Sequence, residues 1–498
     1  TMGQIKKLAG QTAVYGTTTI LSRLLNYLLV PLHTYIFTNP GDYGVVGEMY
    51  AWVALLLVLL TYGMETAFFR FSEMEADKNR VFGTTLTSLF ITSFVFIAVG
   101  LVFSGNLADL LHYPNHPEYI AWFVVIVGLD AVGTIPFARL RARNKPYLFA
   151  GIKITNILIT VFFNVFFLWF CPKMIAMYPD SSFFHAIYNP EIGIGYIFIA
   201  NLIASVVQLI LLLFTCRSLK PVFDVPLLKR MLKYAFPLLI LGLAGIVNET
   251  IDRIMIKGLT SDNPDIAMYN LGVYSACFKI AVIMNLFIQA FRYSAEPFFF
   301  SLYKQKDAKQ GYSVVMTYFV IVCSFLFLSV MMYIDFVKYF VSPNYHEGLG
   351  IVPILLLAYM LLGICFNLSI WYKLTGKTQY GAYITVGGSI LTLTVNWLLL
   401  PVVGYAGAAW GHLITYSAMV AASFFIGQKF YPVDYDLKKV GFYIGIALLL
   451  FGLSYFVIPF DKLGEHHFIL KIIINTVILL SYAAIIVKKE YKTIKSIL

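Results

Sequence analysis

The sequence is short of charge. Asp, Glu, Lys and Arg make up 12% of its 498 residues, against roughly 25% in a soluble globular chain. With 60% hydrophobic residues and a mean hydropathy of +0.79, it carries more apolar surface than one core could hide, which excludes a water-soluble globular fold. The five cysteines (Cys171, Cys216, Cys277, Cys323 and Cys365) stand singly. No CxxC or paired spacing occurs, so a disulfide framework and a metal knuckle are both excluded. HExxH and nucleophile-elbow patterns are missing too. Gly376-Lys377-Thr378 ends like a phosphate-binding loop, but position 371 is Trp where the leading Gly is required. It reads as a short turn, and ATP hydrolysis is not indicated. His112 and His116, four apart in a loop, read as surface polarity rather than as metal ligands. No cofactor or metal is expected, and no stretch is long enough for a soluble catalytic domain.

A net charge of +11 is compatible with nucleic-acid binding, but the basic residues sit in short clusters between apolar runs rather than along one face. A bilayer-spanning helix needs about 20 mostly apolar residues. That criterion predicts about fourteen spans, near 10–37, 44–70, 81–104, 118–139, 147–171, 192–216, 234–258, 267–297, 311–334, 349–372, 379–401, 405–428, 440–459 and 468–487. The runs lack the ten-residue alternation of a barrel, and lone strands cannot satisfy their backbone in lipid; the fold class is therefore an all-α membrane protein. The first run has no small-residue cleavage site, so it is expected to be retained rather than removed as a signal peptide.

Loop charge sets the expected orientation. Alternate connections, from Lys6 and Lys7 through Arg139–Lys145 and Arg217–Lys233 to Lys488–Lys495, hold 26 Lys and Arg. The opposite loops hold few, among them Lys173, Lys257 and Lys462. Since positive loops stay inside, both termini are expected in the cytoplasm, as an even number of spans requires. The longest cytoplasmic connection suits a linker with an amphipathic surface helix. It divides a weak repeat. Ser22-Arg23 answers Asp252-Arg253, Asn39-Pro40-Gly41-Asp42-Tyr43 answers Asn263-Pro264-Asp265 with Tyr269, and Glu65 to Arg70 answers Gln289 to Arg292. The expected organisation is a six-helix bundle over 1–217, a linker over 218–233, a second six-helix bundle over 234–430, and two further helices with a tail over 431–498. Bundles of like orientation imply a pseudo-two-fold axis along the membrane normal, with a substrate site between them.

Ionisable residues inside spans are costly and are functional candidates. In span one, Thr12, Gly16, Thr19, Arg23 and Asn26 form a stripe at helical spacing that His33 extends. Lys153, Asn156, Thr160 and Asn164 repeat it in span five, Asn285, Gln289, Arg292 and Glu296 in span eight, and Thr385, Ser389, Thr392 and Asn396 in span eleven. Such stripes also glue helices together, and Glu249 with Arg253, or Arg292 with Glu296, are i,i+4 pairs able to neutralise each other. Arg70 and Arg139 lie at cytoplasmic ends, where arginines anchor by snorkelling. Arg23 has no acid within a turn of its own span. Arg23 and Arg253 are therefore candidates to fork onto a diphosphate, with Lys153 and Lys279 adding point charges and Arg292, Asn26, Asn156 and Gln289 lining the cavity. The intramembrane acids Glu48, Glu65, Asp130, Glu249, Asp252 and Glu296 either pair these bases or carry a coupling proton or sodium.

Several strings, in order, resemble the multidrug/oligosaccharidyl-lipid/polysaccharide exporter superfamily, and within it the bacterial polysaccharide-biosynthesis branch of oligosaccharide-lipid flippases. They are Gly63-Met64-Glu65-Thr66-Ala67 before Arg70, Asp252-Arg253-Ile254-Met255-Ile256, Gly272-Val273-Tyr274, Leu374-Thr375-Gly376-Lys377-Thr378, and Asn396 to Pro401 followed by Gly404 to Ala409. The resemblance covers essentially the whole chain. It implies a non-enzymatic transporter of the bacterial inner membrane whose two bundles open alternately to each side. The implied cargo is an undecaprenyl-diphosphate-linked oligosaccharide repeat unit, moved to the outer leaflet for surface polysaccharide assembly. A polysaccharide polymerase and glycosyltransferases are the partners it suggests. Arg23 matches the first-helix arginines of lipid II flippases by its place on the helix, and Arg253 matches the span-seven motif more directly. The alternatives are a cation-coupled multidrug exporter, whose site would favour acids and aromatics, and a lipid II flippase. A membrane glycosyltransferase or polymerase would need a large outer loop or an exposed acid pair.

Overall fold

A computed structural model describes residues 16–217, 222–302, 308–457 and 467–497. The first part of the first expected span and Lys6, Lys7, Lys220, Lys304, Lys306 and Lys462 lie outside these residues, and the Glu296 side chain is likewise outside what is described. Among the described residues every regular element is a helix. Among the described residues thirteen helices are long and apolar enough to cross a membrane, one at each expected position after the first. The first expected span is described as α1 (16–27) and α2 (Leu29–Ile36).

The chain forms two compact units, residues up to Ser275 and residues from Ala276 onward. In the first, α3 (Pro40–Thr61) and α4 (Met64–Met74) are two halves of one span. They are separated at Tyr62 (φ 34°) and Gly63 (φ 72°), which adopt left-handed backbone. A side chain at Gly63 would be strained by that φ and would press on the Ala235 carbonyl, 2.9 Å away. The Gly63-Met64-Glu65 string is thus the break in this helix, and Glu65 in the first turn of α4 pairs with Arg141. There follow α5 (Lys78–Val102), a short α6 (Ser104–Leu110), α7 (Pro117–Ala142) and α8 (Pro146–Val165). A π-helical turn at Phe166–Phe170, α9 (Cys171–Met177), α10 (Ser182–Ile187) and α11 (Gly195–Phe214) come next.

Residues 225–233, expected as part of a linker, are the first turns of α12 (Val225–Leu259). The start is fixed by Asp224, whose carboxylate accepts from the Leu227 amide at 2.9 Å and pairs with Arg80. Thr84 accepts from the Asp224 amide at 3.1 Å. An N-cap of this kind contributes about 1 kcal/mol. The helix packs on α3, α4 and α5. The start of α13 (Pro264–Leu302) also lies close to α3, because both contribute glycines. A Cβ at Gly272 would fall 1.7 Å from the Pro40 carbonyl and one at Gly44 2.5 Å from the Met268 carbonyl, the small-residue contact typical of membrane helices.

The second unit contains the rest of α13, α14 (Ala308–Met332), α15 (Ile334–Val337), α16 (Val352–Leu368), α17 (Ile370–Leu374), α18 (Thr378–Val403) and α19 (Ala406–Phe430). Gly376, at φ 69°, makes the turn between α17 and α18, as the missing leading glycine predicts. The last two helices, α20 (Leu437–Gly452) and α21 (His467–Ile497), pack against α14. Polar contacts clamp them there. Glu490, 1% exposed, receives Lys439 at 2.8 Å, Tyr443 at 2.7 Å and Tyr318 at 3.1 Å. Asn475 donates to the Met332 carbonyl at 2.8 Å and takes the Ser454 hydroxyl at 2.7 Å. In the connection after α14, Asp335 meets Lys471 at 2.7 Å and Lys338 at 3.2 Å. Partial burial raises the Asp335 pKa, but the two ammonium groups outweigh it and hold the carboxyl below its ordinary value.

Candidate functional site: a polar cavity in the first unit

A cavity of about 280 Å³ opens within the first unit, between α1, α3, α7, α8 and α11. Helical spacing explains its walls. Asp130, Thr134 and Phe137 come from one face of α7, Lys153 and Asn156 from α8, and Asn201, Ser205 and Gln208 from α11. Asn26 enters from α1 and Tyr50 from α3. Asn26, Lys153, Asn156 and Asp130, four of the residues singled out from sequence, therefore meet at one site.

Its two charged groups, Asp130 and Lys153, are of opposite sign. Ser205 donates to Asp130 at 2.8 Å. The Lys153 ammonium sits 4.3 Å from the centre of the Phe137 ring, a cation–π contact. Asn201 donates to the Ile197 carbonyl at 2.9 Å and to the Tyr50 hydroxyl. By contrast Asn26, Asn156 and Gln208 line the cavity with carboxamides that make no hydrogen bond to the described residues. Gln208 is only 7% exposed.

Further along, the same stripes on the first span and on α8 hold the helices together. His33 meets Asn164 at 2.8 Å, and Asn164 also donates to the Thr160 carbonyl at 2.8 Å. The two functions proposed for such stripes, packing and lining, thus divide along the length of one helix.

The remaining candidates are placed as follows. Arg23 is exposed on α1, one turn before Asn26. Arg253, 13% exposed at the side chain, donates to the Glu249 carbonyl at 3.1 Å and lies 3.5 Å from the carboxylate of fully buried Asp252. Asp252 in turn accepts from the Tyr274 hydroxyl. Arg253 therefore contacts the backbone of Glu249 and the carboxylate of its sequence neighbour. Glu249 itself is exposed. Lys279, Gln289 and Arg292 belong to the second unit. There Gln289 donates to Asn285 at 3.2 Å, and Arg292 lies 4.9 Å from the centre of the Phe366 ring. Arg139 is buried, donating to the Thr215 carbonyl at 3.3 Å, while Arg70 lies over Tyr234.

Glu48 is buried among partners that loop counting does not suggest. Lys257 donates to it at 2.8 Å and also to the Leu111 carbonyl. Tyr113 donates to the same carboxylate, and burial with that neighbouring charge raises the Tyr113 pKa well above its ordinary value. Lys257, counted from sequence as a loop residue, is 12% exposed and belongs to α12. Asn201, Ser205 and Gln208 also escape a reading that follows only the strongest stripes, although their spacing of four and three is helical. His116 bonds Glu118 at 2.8 Å and stacks on Tyr119.

Known proteins of related sequence and shape bear on this architecture. The family model described as "Polysaccharide biosynthesis protein" matches residues 8–303, more than half of the chain. No curated protein sequence matches significantly. Among solved structures, a lipid II flippase MurJ in an inward-closed conformation superposes with a TM-score of 0.67 at 14% identity, covering 96% of this chain and 99% of that one. An outward-facing multidrug resistance MATE family transporter of the MOP superfamily gives a TM-score of 0.56 at 11% identity, with coverage of 84% and 95%. A eukaryotic MATE transporter, AtDTX14, gives 0.52 at 12% identity, covering 90% of this chain and 99% of that one. Identities this low speak to fold alone. The family model, which spans more than half of the sequence, shows that the chain belongs to the polysaccharide biosynthesis protein family.

Proposed function

We propose that the protein is a flippase that moves undecaprenyl-diphosphate-linked oligosaccharide repeat units from the cytoplasmic to the outer leaflet of the bacterial inner membrane by alternating access. The polar cavity carries this reading. Carboxamides that face a cavity among apolar helices and find no protein partner are satisfied only by water or a polar ligand, so the cavity is built to be wet or filled by a polar group. A cargo with a long lipid tail and a large polar head suits it, because the tail stays in the bilayer while the head crosses the protein. The family match to polysaccharide biosynthesis supports the same cargo.

In this mechanism the arginines meet the diphosphate. Arg23 lies one turn from the cavity residue Asn26. Arg253 sits at the hydrogen-bond limit from Asp252, so a phosphate can replace that contact while Tyr274 still donates to Asp252. Outward movement of negative charge is downhill in an inside-negative membrane by about 2.3 kcal/mol per charge per 100 mV.

The test is translocation in proteoliposomes of a fluorescent prenyl-diphosphate oligosaccharide, with lipid II and a cationic drug run alongside. Flipping of the first, lost in Arg23→Ala and Arg253→Ala proteins that still fold, is the expected result. Lipid II movement alone, or drug export alone, would replace this reading with the corresponding alternative.

A further inference from the structure

We infer that the cavity of the first unit is a glycan subsite that binds the uncharged, hydroxyl-rich sugars of the cargo and leaves the diphosphate to other residues; this rests on the flippase reading above. Three observations converge on it. First, the charged lining is of both signs: Asp130 and Lys153 face the same cavity, and the Lys153 ammonium is further engaged with the Phe137 ring. A dianionic group entering here would meet a carboxylate as well as an ammonium and gain little.

Second, the groups left without partners are carboxamides. Asn26, Asn156 and Gln208 each offer a donor and an acceptor side by side. That arrangement matches adjacent sugar hydroxyls, which also donate and accept, whereas a phosphate only accepts. Gln208 is only 7% exposed, and the cavity is what its side chain lines, the placement of a group meant to hydrogen-bond a ligand. Third, aromatic rings stand among the aliphatic residues of the remaining wall. Phe123 and Phe198, both buried, line the same cavity, and an aromatic ring beside amides fits the alternating C–H face and hydroxyl rim of a pyranose. The volume of about 280 Å³ is at the small end for ligand pockets, roughly 300–1,000 Å³, so the site reads one or two sugar rings rather than a whole repeat unit.

The experiment compares equilibrium binding of two probes to detergent-purified full-length protein: prenyl diphosphate, and the same lipid carrying a neutral oligosaccharide. Wild type should bind the glycosylated lipid at least tenfold more tightly. Gln208→Leu and Asn156→Leu should remove most of that advantage and leave prenyl-diphosphate binding unchanged. Thermal melting of each variant confirms folding, and Asn156→Asp, which keeps the shape, serves as a second variant. Equal loss for both lipids would assign the cavity to the diphosphate, and no change in either would assign it to ordered water; both results overturn the subsite. Failure of wild type to bind either lipid would instead overturn the flippase reading on which the subsite rests.

Discussion

Two polar regions, both set among apolar helices, differ in one respect. Around Glu490 and Asn475 in the second unit, every polar group described has its partner: a lysine and two tyrosines on the carboxylate, a carbonyl and a hydroxyl on the amide. In the cavity of the first unit, Asn26, Asn156 and Gln208 have none among the described residues. Residue type does not separate the two, since both contain carboxamides, a lysine and an acid. What separates them is satisfaction. A satisfied network holds helices together, and under the proposed function the unsatisfied one is where the cargo docks.

The largest effect is expected where satisfaction is most complete. Replacing Glu490 with Leu leaves Lys439, Tyr443 and Tyr318 without their acceptor, and breaking a buried pair in this way costs about 3 kcal/mol or more. Thermal unfolding of the solubilised protein should show a large drop, and a variant as stable as wild type would remove the basis for calling this cluster a clamp. Glu48→Gln should come next. It removes the ion pair with Lys257, which links α3 to α12, and should destabilise by about 2 kcal/mol, less than Glu490→Leu because the amide still accepts one hydrogen bond. Pairing it with Lys257→Met should recover part of the loss, and an additive double mutant would show that the contact carries no coupling.

Much of this was legible in the sequence and part was not. The spans were, because about 20 apolar residues in a row have no other stable form in lipid. Two of the strings that carry the family resemblance fall at distinct structural points: Gly63-Met64-Glu65 is a helix break, and Asp252-Arg253 is a buried acid beside its base. Lys153, Asn156 and Asn26, each placed on a polar stripe by spacing, line one cavity. Partners distant in sequence were hidden. Nothing local shows that Lys257 reaches Glu48, 209 positions away, or that Arg253 takes the neighbouring Asp252 as well as the Glu249 carbonyl rather than a free anion. The first turns of α12 looked like a linker because their charges and prolines suit a surface helix. The buried Asp224 cap that joins them to the long helix depends on Arg80 and Thr84, far back in the chain.

Smaller effects sharpen the contrast. Asp335 is held below its ordinary pKa by Lys471 and Lys338, so its contribution to stability is complete at neutral pH and is lost as pH falls through the lowered folded-state value. Asp335→Asn should abolish that acid-side loss while lowering stability slightly at neutral pH. An unchanged acid limb in its melting curve would show that the pair does not stabilise the connection after α14. Smallest of all is the expected stability change at the cavity. Gln208→Leu and Asn156→Leu remove groups that have no protein partner, so melting should stay within about 1 kcal/mol of wild type or rise. A loss comparable to Glu490→Leu would mean that these amides are structural after all.

The central claim is that the cavity is a wet site occupied by cargo, and thiol accessibility tests it most directly. In a variant with the five native cysteines replaced, a single cysteine at position 156 would be challenged with a membrane-impermeant thiol reagent, with and without a prenyl-diphosphate oligosaccharide. Rapid labelling of the empty protein and protection by the lipid-linked sugar is the outcome expected. A cysteine that resists labelling in both conditions, or labels equally in both, would contradict the account.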